Sequence, residues 1–71
     1  RGPMAVAGQE ENYICIEKFQ ADSSDEISLE KGAVVQVLQK NMDGWWLVRY
    51  KGREAYAPGT YLKKTSNVHT V

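Results

Sequence analysis

Few residues in this chain could do covalent chemistry. The lone histidine, His69, stands in the terminal tail, where no nucleophile or carboxylate is held beside it as acid–base catalysis requires. The single cysteine, Cys15, lies within the apolar run Tyr13-Ile14-Cys15-Ile16. A reactive thiol needs an electropositive, partly exposed setting, so Cys15 reads as a small core residue. No His/Cys metal spacing and no glycine-rich phosphate loop is present, so no cofactor is expected. What remains is recognition chemistry, carried by rings and carboxylates. The rings are Tyr13, Phe19, Trp45, Trp46, Tyr50, Tyr56 and Tyr61. Each carries roughly 150–250 Å² of surface, more than a small core can absorb for all of them. Trp45 and Trp46 are adjacent, so on one strand they must point to opposite faces. An outward tryptophan beside a turn suits a binding surface.

The carboxylates gather early. Glu17, Asp22, Asp25, Glu26 and Glu30 face only Lys18 in that stretch, whereas Arg49, Lys51, Arg53, Lys63 and Lys64 come later. The formal net charge of zero therefore conceals a polarised surface. Asp25 and Glu26, next to Ile27, are placed to capture a cationic side chain, while Asp22 and Glu30 taken singly read as solvated loop.

The elements that must position these groups are short. At 71 residues the chain holds one domain, and a domain of this size buries only about 60% of its unfolded surface. Its composition, 42% hydrophobic and 25% charged, is that of an ordinary globular protein. Balanced charge argues against wholesale nucleic-acid binding, and no apolar run approaches the roughly 20 residues of a membrane span. One cysteine and no disulfide suit a reducing, cytoplasmic compartment. Residues 1–11 show no period, and Arg1-Gly2-Pro3-Met4 reads as a cloning remnant ahead of a flexible segment. Residues 65–71 read as a second flexible tail, leaving 12–64 as the folded unit. Within it no 3.6-residue period is sustained. Short β-prone runs appear instead: Tyr13–Ile16, the alternating Ile27-Ser28-Leu29, Val34–Leu38 and Trp45–Tyr50. Turns are expected at Asn41-Met42-Asp43-Gly44 and Lys51-Gly52, and Pro58 interrupts a final pair of strands. The reading is all-β: a small five-stranded barrel of two packed antiparallel sheets, with one long acidic loop. Its core is expected to be Cys15, Ile27, Leu29, Val35, Val37, Val48, Ala57 and Leu62.

Four segments in order, Cys15-Ile16-Glu17-Lys18-Phe19, Glu26-Ile27-Ser28-Leu29-Glu30-Lys31-Gly32, Asp43-Gly44-Trp45-Trp46 and Ala55-Tyr56-Ala57-Pro58-Gly59-Thr60-Tyr61-Leu62, resemble a Src homology 3 (SH3) domain. The likeness runs from Tyr13 to Lys63. It implies a non-enzymatic module, part of a larger adaptor or scaffold and monomeric in isolation, that binds proline-rich segments in the polyproline II conformation. Such a ligand is preformed and loses little entropy on docking. By motif position, Phe19, Trp45, Pro58 and Tyr61 line the groove, with Tyr56 beside the tryptophan and Asp43 in the turn before it. Glu26, supported by Asp25 and Asp22, faces an Arg or Lys flanking the prolines, where a guanidinium can pair bidentately. Trp46 is structural. Lys40–Trp46 and Ala57–Lys64 further resemble the SH3 domains of scaffolds that also carry a phosphoinositide-binding PX domain, the oxidase-organiser group. That implies a cytoplasmic location near membranes or the cytoskeleton, without membrane insertion.

The chain departs from the family pattern at several points. Glu17 occupies the place of the first groove tyrosine, Phe19 lacks a phenolic hydroxyl, Thr60 replaces an asparagine, Gly59 a serine and Ala55 a glycine. These changes imply a weakened or altered proline-binding site. Two other readings use the same rings. Single-stranded nucleic acid would stack bases on them but would meet repelling acids, and a methyl-lysine peptide would use rings and acids together.

Overall fold

β-Branched residues crowd the segment Val34-Val35-Gln36-Val37-Leu38, and a strand buried on one face favours such residues. This segment forms the middle of the sheet. In the computed structural model, which describes the backbone of residues 7–65 and the side chains from residue 11 onward, five strands follow in chain order: β1 (Ala7–Cys15), β2 (Val34–Lys40), β3 (Trp45–Tyr50), β4 (Arg53–Pro58) and β5 (Leu62–Lys64). Their spatial order is β4-β3-β2-β1-β5, and every neighbouring pair is antiparallel. The cloning-remnant reading of residues 1–4 and the placement of His69 lie outside the described residues.

The turns follow from local chemistry. Gly44 takes φ +88° at the end of the β2–β3 connection, a conformation that glycine adopts without steric cost. β3 and β4 are joined by Lys51 and Gly52 alone, both at positive φ, and Tyr50 pairs with Arg53 across the turn. Two positive-φ residues match the right-handed twist of a tight hairpin.

Closure is a matter of geometry. β4 and β5 are the two edges of the sheet, yet only a 3-10 turn at Gly59–Tyr61 separates them in the chain. Four inter-strand gaps in a flat sheet would part these edges by about 19 Å. Three residues of 3-10 helix advance only about 6 Å. The sheet must therefore curl until its two halves face each other, which is the barrel expected from the sequence. All eight expected core residues are buried, joined by Tyr13, Ala33 and Ala55. Val48, at the centre of β3, is 0% exposed.

Contacts reach past both ends of the 12–64 stretch. β1 begins at Ala7, ahead of Asn12, with Ala7 opposite Gln39 and Glu11 opposite Val37 around a bulge. Glu11 holds this extension by pairing with Lys40 of β2 at 2.8 Å and Lys64 of β5 at 3.0 Å. At the other end, Thr65, assigned to the flexible tail, donates backbone and hydroxyl hydrogen bonds to the Asn12 carbonyl at 3.2 and 3.1 Å.

Between β1 and β2 the acidic stretch folds back as an irregular hairpin. Phe19 and Leu29 exchange backbone hydrogen bonds of 2.9 and 2.8 Å. Ile27 and Leu29 turn inward, while exposed Ser28 accepts the Ala21 N–H at 2.9 Å. The loop is pinned to β4, because the Tyr56 N–H donates to the Asp25 carbonyl and the Ile27 N–H to the Tyr56 carbonyl, at 2.8 and 3.0 Å.

Candidate functional site

Alternation along β3 sends Val48 into the core, with Trp46 and Tyr50 packed against it. Trp45 consequently faces out. Its backbone is fixed by the preceding turn, where the Asp43 carboxylate accepts the Trp45 N–H at 2.9 Å. Across the ladder Trp45 pairs with Pro58, so both lie on the outer face. Phe19, carried by the acidic hairpin, comes edge-on to the Trp45 indole with centroids 5.8 Å apart. On its other side Phe19 meets Tyr61 at 5.7 Å, again edge-on. Tyr61 belongs to the 3-10 turn, and its carbonyl accepts the Ile16 N–H at 2.8 Å, tying the turn to the end of β1. Trp45, Phe19 and Tyr61 thus form a row of half-buried rings with Pro58 alongside. Edge-to-face packing suits the ring quadrupoles and holds the row without sealing it.

The acids divide by role. Asp22 and Asp25 are exposed, and the Asp25 carbonyl accepts the Tyr56 N–H from β4. Asp25 accepts the Ser23 hydroxyl at 2.6 Å. Glu26, expected to face a ligand's cation directly, is instead only 6% exposed, and its Oε1 accepts the Asp22 N–H at 2.8 Å. The reason is chain direction: Glu26 sits where the loop bridges to Tyr56, so its carboxylate turns back to satisfy the loop's own backbone. Glu17 and Thr60 are both exposed near Tyr61 in the chain path.

Two features escaped the sequence. Arg53 donates to the Ser24 carbonyl at 2.9 Å and braces the tip of the acidic loop from β4; no local pattern announces a contact between segments so distant in sequence. Gly59 is dictated by Trp46. A Cβ at Gly59 would land within the indole, 2.8 Å from Cδ2, so the missing serine reflects packing beneath the groove.

Residues 16–59 match the SH3 domain family model. This chain belongs to the SH3 domain family. The SH3 and PX domain-containing protein 2B of Homo sapiens is 53% identical over 58 residues, covering 82% of this chain and 6% of that protein. The resemblance to PX-and-SH3 scaffolds therefore holds, although the chain spans only a small part of such relatives. Among solved structures, the human KIAA0418 SH3 domain is 34% identical with a TM-score of 0.73, covering 99% of this chain and 86% of that one. The C-terminal SH3 domain of myosin IB from Entamoeba histolytica, solved bound to a peptide, shares the fold with a TM-score of 0.76 at 24% identity, covering 83% and 98%. SH3 domains are a family of non-enzymatic protein-interaction modules.

Proposed function

We propose that this domain binds proline-rich segments in the polyproline II conformation, with a basic residue beside the prolines. One observation carries the reading: Phe19 stands between Trp45 and Tyr61, with ring steps of 5.8 and 5.7 Å along an outward face. Together the steps run somewhat longer than one turn of polyproline II, which covers three residues over roughly 9 Å. Ridges of the ligand seat against this row and against Pro58. Exposed Asp22 and Asp25, with Asp43 in the turn before Trp45, draw the ligand's cation toward the tryptophan end. Tyr56 backs that end, and Glu26 supports it from beneath. Glu17 and Thr60, in place of a ring and an amide, lower the affinity for a simple proline ligand. The domain acts as a monomeric unit of a larger cytoplasmic adaptor or scaffold that works near membranes or the cytoskeleton. Among the described residues no helix is long and apolar enough to cross a bilayer.

Titration with proline-rich peptides bearing Arg at either end, followed by amide and indole chemical shifts, tests the proposal. The Trp45 indole and residues 22–26 are expected to shift together. Trp45→Ala is expected to weaken binding at least about 30-fold, the scale of an interface hot spot, while leaving the folded spectrum intact. A peptide that binds Trp45→Ala as tightly as the parent overturns the groove assignment.

A further inference from the structure

The acids of this domain are mostly committed internally. Glu11 pairs with two lysines, Glu30 lies 3.9 Å from Lys18 and Glu54 holds Arg49 at 2.8 Å. Glu26 accepts the Asp22 N–H, Asp25 the Ser23 hydroxyl and Asp43 the Trp45 N–H. Among the described residues from Glu11 to Glu54, no hydrogen bond or ion pair engages the carboxylates of Asp22 and Glu17. Both belong to segments that border the ring row. Asp22 stands in the acidic loop, its N–H bonded to the carboxylate of Glu26, which bridges to Tyr56. Glu17 stands at the Tyr61 end, where the preceding Ile16 N–H is bound to the Tyr61 carbonyl.

The chain around Glu17 is held in place. Its carbonyl accepts the Cys15 thiol at 2.9 Å. Lys18, the one base nearby in sequence, is drawn across the hairpin toward Glu30. Glu17 itself is exposed in the bend between the end of β1 and the Phe19–Leu29 bridge. An exposed carboxylate in the short stretch between the Ile16–Tyr61 tie and Phe19 is a poor seat for a proline but a good one for a cation, which gains an ion pair.

We infer that Glu17 is a specificity-determining residue that reads a second basic side chain, so that the preferred ligand is a proline-rich segment with Arg or Lys at both ends of its docked turn. This rests on the groove reading above and adds the class of ligand. The loss of the first groove ring is then a change of specificity, in which a proline-binding position becomes a cation-binding one.

The test uses this chain and three peptides sharing one proline-rich core: Arg at the N-terminal end, Arg at the C-terminal end, and Arg at both. Affinities are measured by fluorescence anisotropy for the parent, Glu17→Gln and Glu17→Tyr. The doubly basic peptide is expected to bind the parent about threefold more tightly than the better single-Arg peptide, the size of an exposed ion pair. That gain should vanish in Glu17→Gln, where the doubly basic peptide should bind no more tightly than the better single-Arg peptide. In Glu17→Tyr, single-Arg peptides should gain. A second Arg that gives no advantage to the parent, or the same advantage in Glu17→Gln, overturns the inference. Failure of the groove itself looks different: none of the peptides binds, or Trp45→Ala binds all of them as the parent does.

Discussion

At the scale of single residues, Gly59 and Trp46 show how a departure from the family pattern can be structural. The Trp46 indole occupies the space a Cβ at Gly59 would need, and overpacking of this kind typically costs about 1–3 kcal/mol. Gly59→Ser is therefore expected to lower stability by that amount in urea denaturation, and by less in a Trp46→Leu background, where the ring is gone. Equal losses in the two backgrounds would dissociate the pair. Val48→Ala is expected to cost about 2–3 kcal/mol, because Val48 is 0% exposed and a rigid barrel collapses poorly around a cavity. Peptide affinity should be unchanged, since Val48 faces away from the rings. Alternation showed from the sequence that one of Trp45 and Trp46 faces outward, and the resemblance to the SH3 pattern chose Trp45. The roles of Gly59 and Glu26 were not legible, because each is set by a neighbour distant in sequence or by the path of a loop.

At the scale of elements, the β3–β4 hairpin holds Lys51 at φ +50°. A left-handed conformation costs a side chain about 1–2 kcal/mol, less for asparagine. Lys51 also lies over the Tyr50 ring at 5.3 Å, an exposed cation–π contact worth about 0.5–1 kcal/mol. The strain is the larger of the two, so Lys51→Asn should raise the urea midpoint modestly. A fall would mean that the ring contact dominates. β1 carries a second device. Lys40 and Lys64, both bonded to Glu11, hold its carboxyl at about 2, below the ordinary 4.5, and the same bond raises Lys40 above 10.5. A lowered acid favours folding fully above its unfolded value, and that contribution fades as pH falls from 4.5 to 2. Stability of the parent should drop across this window more steeply than that of Glu11→Gln, with the two curves converging near pH 2. Parallel thermal-melt curves would remove Glu11 from the account.

At the scale of the whole molecule, the barrel closes at one end through the 3-10 turn and is clasped at the other by the strand extension. The ring row draws on the first: Tyr61 and Pro58 belong to the turn or border it, and Phe19 and Trp45 reach it from neighbouring segments. Glu11, Lys40 and Lys64 belong to the second, gathered with Tyr13 around Trp46. Trp46 touches both, through its T-shaped contact with Tyr13 at 5.4 Å and through Gly59. Whether the clasp supports the groove or only the fold can be decided by removing it. A chain that begins at Asn12 keeps every groove residue but loses Glu11 and its pairing with Val37. A small domain has little stability in reserve, so this truncation should lower the melting temperature by several degrees. Affinity for the doubly basic peptide, measured well below the melt, should stay within twofold of the parent, about the size of a weak exposed contact. An unchanged melting temperature would make the extension a passive overhang. A large loss of affinity in a chain still fully folded would mean that the clasp positions Trp46, and through Gly59 the turn that carries Tyr61.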